Sequence, residues 1–217
     1  MCFLNSSFYE PFEVDPLIFA GRATTCLLID EKFPTGGIRK KYATAFFIDE
    51  CHLITAGHNV LVEPGGSQEI KMTNAGSHVL DLKLANTQHC TLLENLLVSD
   101  KVKSRCDIAI LKVAGHNARA FLRPVWDAPL SKDNVVDIVG YPGDLKETWW
   151  EKYHTGVKDV REGWAAARKM LPLKTLTVTR GSVKRIGKGI IYSKISTCTG
   201  MSGGPLLSNG YSYGCLP

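Results

Sequence analysis

The chain has 217 residues, of which 44% are hydrophobic and 22% charged, a composition typical of globular proteins. Its formal net charge is +5, and no basic run exceeds Arg39-Lys40-Lys41, so the charge pattern does not favour nucleic-acid binding. No apolar run approaches the roughly 18–20 residues that a membrane-spanning helix needs, so a membrane partner is not expected either.

The two ends of the chain and its cysteines give little direct information on function. The N-terminus, residues 1–7, lacks the basic region and the sustained apolar stretch of a secretory signal. The seven cysteines are odd in number, and none has zinc-type spacing to another cysteine or to a histidine, so neither a metal site nor a cofactor is expected. Most are interpreted as buried or free thiols. A single disulfide bridge between Cys198 and Cys215 is the alternative for those two residues.

Short β-rich runs broken by Gly, Pro, Asn and Asp recur along the chain and indicate an all-β sandwich or barrel. The predicted strands are Thr24–Ile29, Tyr42–Ile48, Leu53–Thr55, Ile70–Met72, His78–Leu84, Ile108–Val113, Val135–Val139, Thr175–Thr179 and Gly189–Ile195. Near the C-terminus, Asn209-Gly210 predicts a two-residue hairpin turn.

Two segments interrupt the β pattern. Asn117–Pro129 contains prolines and little alternation, which is typical of a connection between two halves. Lys158–Met170 is rich in helix formers, with Val160, Trp164 and Ala167 at helical spacing, so a short packing helix is predicted inside a long loop.

A glycine-rich stretch, Thr199–Pro205, carries the candidate nucleophile. A serine hydroxyl needs a base to take its proton, and the tetrahedral intermediate that follows needs hydrogen-bond donors at its oxyanion. Glycine at position 200 lets the backbone turn so that its N–H and that of Ser202 point the same way. The stretch therefore predicts Ser202 as a nucleophile and the N–H groups of Gly200 and Ser202 as an oxyanion hole.

The candidate base follows an apolar strand in Leu53-Ile54-Thr55-Ala56-Gly57-His58, where two small residues leave space around the imidazole. Histidine suits a group that must take and return a proton near neutral pH. The candidate third member is Asp107, which opens the apolar run Ile108–Val113 and is placed between the other two motifs. A carboxylate there is expected to hold the imidazole in the right tautomer and to stabilise its charged form.

Four strings together carry a family resemblance: LITAGH (53–58), DIAIL (107–111), VVDIVGYPGD (135–144) and TCTGMSGGP (197–205). The chain order His, Asp, Ser is that of chymotrypsin rather than that of subtilisin or the α/β-hydrolases. From about Thr24 onward the chain resembles trypsin/chymotrypsin-fold serine peptidases, most of all the glutamyl-endopeptidase-like branch. The resemblance implies an all-β fold of two antiparallel six-stranded Greek-key barrels, the second one incomplete at its C-terminus.

In that arrangement the first barrel contributes His58 and Asp107, the second contributes Ser202, and the active site lies in the cleft between them. The implied division is a lead segment over 1–20, a first barrel over 21–118 and a second over 119–217. The family is mostly secreted, acts on polypeptides and needs no cofactor, so a monomer with a polypeptide substrate is expected, and the compartment stays open.

The resemblance also implies which residues bind substrate. Thr197 occupies the position that lines the primary specificity pocket, and the segment from Ser193 leads into the serine and forms part of the wall. Leu216 falls where the branch has its glutamate-binding histidine, which argues against a preference for glutamate. Two functions follow as alternatives: an active serine endopeptidase, or an inactive peptide-binding module on the same fold.

Overall fold

The computed structural model describes residues 15–73, 87–96, 107–125, 130–143, 159–170, 174–187, 190–209 and 211–215. The strands are β1 (Thr24–Lys32), β2 (Ile38–Phe47), β3 (His52–Thr55), β4 (Ser67–Met72), β5 (Gln88–Asn95), β6 (Ala109–Val113), β7 (Val135–Gly140), β8 (Thr177–Gly187), β9 (Ile190–Lys194), β10 (Pro205–Ser208) and β11 (Tyr211–Cys215). The helices are α1 (Pro16–Ala23), α2 (Val160–Met170) and a 3-10 turn, Gly57–Val60. Neither α1 nor α2 is long and apolar enough to cross a bilayer.

The first six strands form a closed antiparallel barrel in the order β1-β2-β3-β6-β5-β4. Closure removes exposed strand edges and leaves an interior filled by the inward-facing side chain of every second residue. The barrel core contains Leu27, Ile29, Ala43, Ala45, Phe47, Leu53, Ile70, Met72, Leu111 and Val113. The all-β fold class and the first barrel are confirmed.

The last five strands form a second antiparallel sheet in the order β11-β10-β7-β8-β9. Within the described residues this sheet has five strands, and an isolated bridge joins Pro124 to Ser212 of β11. It is consistent with the expected second barrel, incomplete at its C-terminus. The predicted hairpin is present, since Ser208 pairs with Tyr211 and Asn209 has a φ of 49°. Asparagine tolerates this left-handed conformation, which a tight hairpin turn requires.

The barrel and the sheet share a hydrophobic interface. Its buried members include Ala20 and Ala23 of α1, Phe46 of β2, Val139 of β7 and Leu207 of β10. Because the two halves pack through this cluster, the ends of β2 and β3 face the loop that precedes β10. The candidate site lies at this junction.

The predicted strands that fall on described residues are present, with most ends shifted by a few residues; β8 extends eight residues beyond the predicted Thr175–Thr179. His78–Leu84 lies outside the described residues. Two elements were missed. The helix α1 begins at Pro16 and is capped by Asp15, whose carboxylate accepts from the N–H of Leu17. The strand β5 was missed because most of its residues are exposed and show no clear period-two pattern of hydrophobicity.

The helix predicted over Lys158–Met170 is observed as α2, with the carboxylate of Asp159 accepting from the N–H groups of Arg161 and Glu162. Trp164 and Ala167 pack against the core of the second sheet, as their spacing predicted. The helix is therefore a packing element.

A buried carboxylate ties β1 to β2. The Glu31 side chain is 1% exposed, and its Oε2 accepts from Arg39 Nη2 at 2.6 Å and from Lys41 Nζ at 2.7 Å. Oε1 is buried and has no hydrogen-bond partner among the described residues. The hydrogen bond from Lys41, together with that from Arg39, lowers the pKa of Glu31 below its ordinary 4.5, although burial acts in the opposite direction.

We expect Glu31→Gln to lower the free energy of unfolding at pH 7 by about 1–2 kcal/mol, because both cations lose their charged acceptor. A folded-state pKa below the unfolded value gives stability that is present above about pH 4.5 and is lost as pH falls through the folded pKa. Urea unfolding between pH 7 and pH 3 checks this. The half-exposed Glu69, which pairs with Lys71, provides the control Glu69→Gln, expected to stay within about 0.5 kcal/mol. Equal losses in the two variants would contradict the assignment.

Candidate active site

His58 lies just beyond the end of β3, in the 3-10 turn Gly57–Val60. The preceding Ala56 and Gly57 are buried, so the start of the turn packs against the end of the barrel. The His58 side chain is 45% exposed, which leaves its ring accessible from solvent. This is the strand-end position at which the sequence places the histidine.

Asp107 pairs with this histidine through two contacts. Its Oδ1 accepts from the backbone N–H of His58 at 2.8 Å, and its Oδ2 lies 2.7 Å from His58 Nδ1. The antiparallel register explains the approach, since Thr55 of β3 pairs with Ala109 of β6 and Asp107 lies two residues before Ala109. Because a carboxylate only accepts hydrogen bonds, Nδ1 carries the proton, and Nε2 is left with its lone pair.

Ser202 is the second residue of the latter of two consecutive tight turns, Cys198–Met201 and Met201–Gly204. In the first, Met201 N–H donates to Cys198 O at 3.1 Å; in the second, Gly204 N–H donates to Met201 O at 2.9 Å. The third residue of each turn is a glycine in the left-handed region, Gly200 with φ 91° and Gly203 with φ 89°. This φ defines a type II turn, in which glycine avoids the strain that a side chain would bring.

A polar network holds the serine loop against the first barrel. Ser202 O accepts from the backbone N–H of Thr44 and from Asn59 Nδ2, both at 3.0 Å. Asn59 directly follows His58, so the backbone of the serine is fixed to the residue next to the histidine. Thr44 Oγ1 donates to Gly200 O at 2.7 Å and accepts from Tyr141 N–H at 2.9 Å, which adds the residue that follows β7 to the network.

The oxyanion-hole candidates lie on this loop. Gly200 is buried, and within the described parts of the chain its N–H donates to no acceptor. A Cβ at position 200 would lie 2.5 Å from Gly143 N and 2.7 Å from Tyr141 O, so only glycine fits here. The Ser202 backbone follows two residues later, as an oxyanion pair requires.

We expect Gly203→Ala to lower the free energy of unfolding by about 2–5 kcal/mol. A Cβ at this position would overlap Thr44 O and Thr55 Oγ1, and its backbone would be strained at φ 89°. Gly36 has a similar φ, 90°, but a Cβ there would meet no atom within 4 Å, so Gly36→Ala measures the strain alone. Chemical denaturation of the two variants checks this, and equal losses would show that the serine loop does not pack as closely as described.

The substrate-binding candidates are less closely connected to the triad. Thr197 is partly exposed and lies in the segment between β9 and the serine turns. Ser193 lies in β9, where it pairs with Val183 of β8. Leu216 lies outside the described residues.

The cysteine beside the serine loop is not a competing nucleophile. Cys198 is a free thiol, and the side chain of Cys215, which the sequence left open as its bridge partner, lies outside the described residues. Burial raises the pKa of Cys198 to about 11, although the Gly143 backbone and Arg168 act in the opposite direction. At neutral pH this side chain is therefore a protonated, weakly nucleophilic thiol.

Sequence reasoning missed the residues that hold the site together: Thr44, Thr55 and Asn59. Asn59 Nδ2 also donates to Thr55 Oγ1 at 3.0 Å, and Thr55 Oγ1 donates to Thr44 O at 2.8 Å. Threonine in an apolar strand is an ordinary β-former, so these positions gave no signal. Asn59 differs from the two threonines because it directly follows His58, a residue already predicted to be functional.

Comparison with known proteins agrees with this arrangement. The family model of the trypsin-like peptidase domain matches residues 43–212, from within β2 to the second residue of β11, and includes His58, Asp107 and Ser202. No curated protein matches the chain. The match extends over most of the sequence and spans both the barrel and the second sheet. The chain therefore belongs to the family of trypsin-like peptidase domains.

Proposed function

We propose that the chain is a serine endopeptidase that hydrolyses peptide bonds through an acyl-enzyme intermediate. The observation that carries the proposal is the His58–Asp107 pair at 2.7 Å, next to an asparagine that binds the backbone of Ser202. A nucleophile, a base and a group that orients the base are the three parts that this chemistry needs.

In the proposed reaction the Ser202 hydroxyl attacks the carbonyl carbon of the substrate while Nε2 of His58 takes the hydroxyl proton. Asp107 holds the ring through Nδ1 and stabilises the imidazolium that forms. The N–H groups of Gly200 and Ser202 donate to the oxyanion of the tetrahedral intermediate. The imidazolium then protonates the leaving amine, and a water molecule activated by His58 releases the acyl group from Ser202.

The proposed substrate is an extended polypeptide. Strand edges of an open sheet offer unpaired backbone groups, which suits pairing with an extended chain. We place Thr197, Ser193 and Leu216 at the substrate-binding wall, by resemblance to the family. Leucine in place of a glutamate-binding histidine favours a side chain other than glutamate at the cleaved position.

The test is digestion of a peptide library by the purified full chain, with cleavage sites read by mass spectrometry. We expect cleavage at a restricted set of residues, and we expect a covalent serine-directed sulfonyl fluoride to abolish it. The variant Ser67→Ala lacks an exposed serine of β4, outside the candidate site. It serves as the control for the loss of a serine side chain and should cleave the library as the wild type does.

Fluorescence anisotropy with labelled peptides distinguishes the alternative function. Saturable peptide binding by the folded wild type, without turnover and without any effect of the sulfonyl fluoride, would contradict the endopeptidase proposal. That result would favour the inactive peptide-binding module instead.

A further inference from the structure

A second cluster of chemically active side chains lies in the bend between β2 and β3, outside the candidate active site. Asp49, Cys51 and His52 each direct one donor atom to a common point, and the three atoms lie within 4.8 Å of one another. His52 Nδ1 is 2.7 Å from Asp49 Oδ2 and 3.6 Å from Cys51 Sγ. We propose that these three residues bind one Zn²⁺ ion.

The distances suit a tetrahedral zinc site. Zinc bonds of about 2.0–2.1 Å to nitrogen and about 2.3 Å to sulfur place those two ligand atoms roughly 3.5–3.6 Å apart. Cys51 Sγ and His52 Nδ1 already have this separation, 3.6 Å. The corresponding nitrogen–oxygen separation is roughly 3.3 Å, so Asp49 Oδ2 and His52 Nδ1, now 2.7 Å apart, have to separate by about half an ångström.

The backbone of the bend is held in place before any ion binds. Asp49 Oδ1 accepts from the N–H groups of Cys51 at 2.8 Å and His52 at 2.7 Å, so the ion has to replace only the contact between Oδ2 and His52 Nδ1. Neighbouring elements hold the other backbone groups, since Ala118 N–H donates to Glu50 O and Val113 N–H donates to Cys51 O. Contacts of this kind orient metal ligands and strengthen binding.

The donor set selects the metal. A thiolate, an imidazole and a carboxylate together suit Zn²⁺, whereas Mg²⁺ and Ca²⁺ prefer oxygen alone. Three protein ligands leave the fourth position to water, and the 49% exposure of Asp49 and 30% exposure of His52 give the ion a path of entry. On binding, the Cys51 thiol releases its proton to solvent, and the proton of a neutral His52 moves from Nδ1 to Nε2.

Motif spacing in the sequence did not identify this cluster, because its order, Asp-x-Cys-His, matches none of the known zinc motifs. Adjacent residues of a strand normally point to opposite faces. Here Cys51 still belongs to the bend while His52 begins β3, so both side chains reach the same point.

The test is titration of the reduced, metal-free full chain with Co²⁺, whose bond to a thiolate gives an absorption band in the near ultraviolet. We expect one equivalent to bind, Zn²⁺ to displace it, and the variants Cys51→Ser and His52→Gln to bind at least about ten-fold more weakly. The matched controls are Cys90→Ser and His89→Gln, adjacent residues of β5 in the same barrel, which should bind as the wild type does.

Circular dichroism establishes that each variant is folded. Absence of the cobalt–thiolate band in the wild type, or its persistence in Cys51→Ser, would overturn the proposal. The band is independent of peptide hydrolysis, so this outcome does not depend on whether the chain is an active peptidase.

Discussion

Replacing His58 by alanine is expected to lower kcat for peptide hydrolysis by about 10⁶-fold or somewhat less. Nε2 of this ring has a lone pair because Asp107 holds the proton on Nδ1, at 2.7 Å from Oδ2. Without the imidazole, no group is positioned to take the Ser202 proton or to protonate the leaving amine. The variant should still hydrolyse the peptide about 10³–10⁴-fold faster than the uncatalysed reaction in water, because the oxyanion donors and substrate binding are retained.

The control for this variant is His89→Ala. His89 lies in β5, is 72% exposed and pairs with Glu69 at 3.4 Å, so its removal should leave kcat unchanged. Active-site titration together with steady-state kinetics measures both variants. A His58→Ala protein that keeps more than a small fraction of wild-type kcat would show that another group acts as the base.

Asp107→Asn is expected to lower kcat by about 10⁴-fold at neutral pH while the protein stays folded. The Asn carbonyl can still accept from the backbone N–H of His58, as Oδ1 of Asp107 does at 2.8 Å. Its amide NH₂, however, donates to Nδ1 and places the ring proton on Nε2. The imidazole then presents a donor where Ser202 needs an acceptor.

The matched control is Asp133→Asn, an exposed position with a φ of 67°, which asparagine tolerates well. We expect its kcat and its thermal midpoint to match those of the wild type. A comparable loss of activity in the two variants would contradict an orienting role for Asp107, and a large fall in the thermal midpoint of Asp107→Asn would assign its effect to folding.

The residues proposed to carry the chemistry were predictable because each lies in a short local string. Ser202 stands between glycines whose positive φ the turns require, and His58 follows an apolar strand that ends in two small residues. Asp107 was selected because it opens an apolar run and stands between the histidine and serine motifs in the chain. The antiparallel pairing of β3 with β6 then brings it to His58, a contact that follows from the fold alone.

The contacts that assemble the site were not predictable, because they join residues far apart in sequence. Thr44 reaches Gly200 and Tyr141, and Asn59 reaches the Ser202 backbone, across the interface of the two halves. The strand order of the second sheet likewise depends on which strands find partners rather than on any one strand. The zinc candidate depends on a bend whose shape no spacing rule describes.

The proposed chemistry depends on Ser202 being activated by His58. The most direct measurement is labelling of the native protein with a fluorophosphonate probe, followed by mass-spectrometric mapping of the modified peptide. We expect a single adduct on Ser202 that is absent from Ser202→Ala and strongly slowed in His58→Ala. A folded wild-type protein that stays unlabelled, or an adduct on a different residue, would contradict this mechanism.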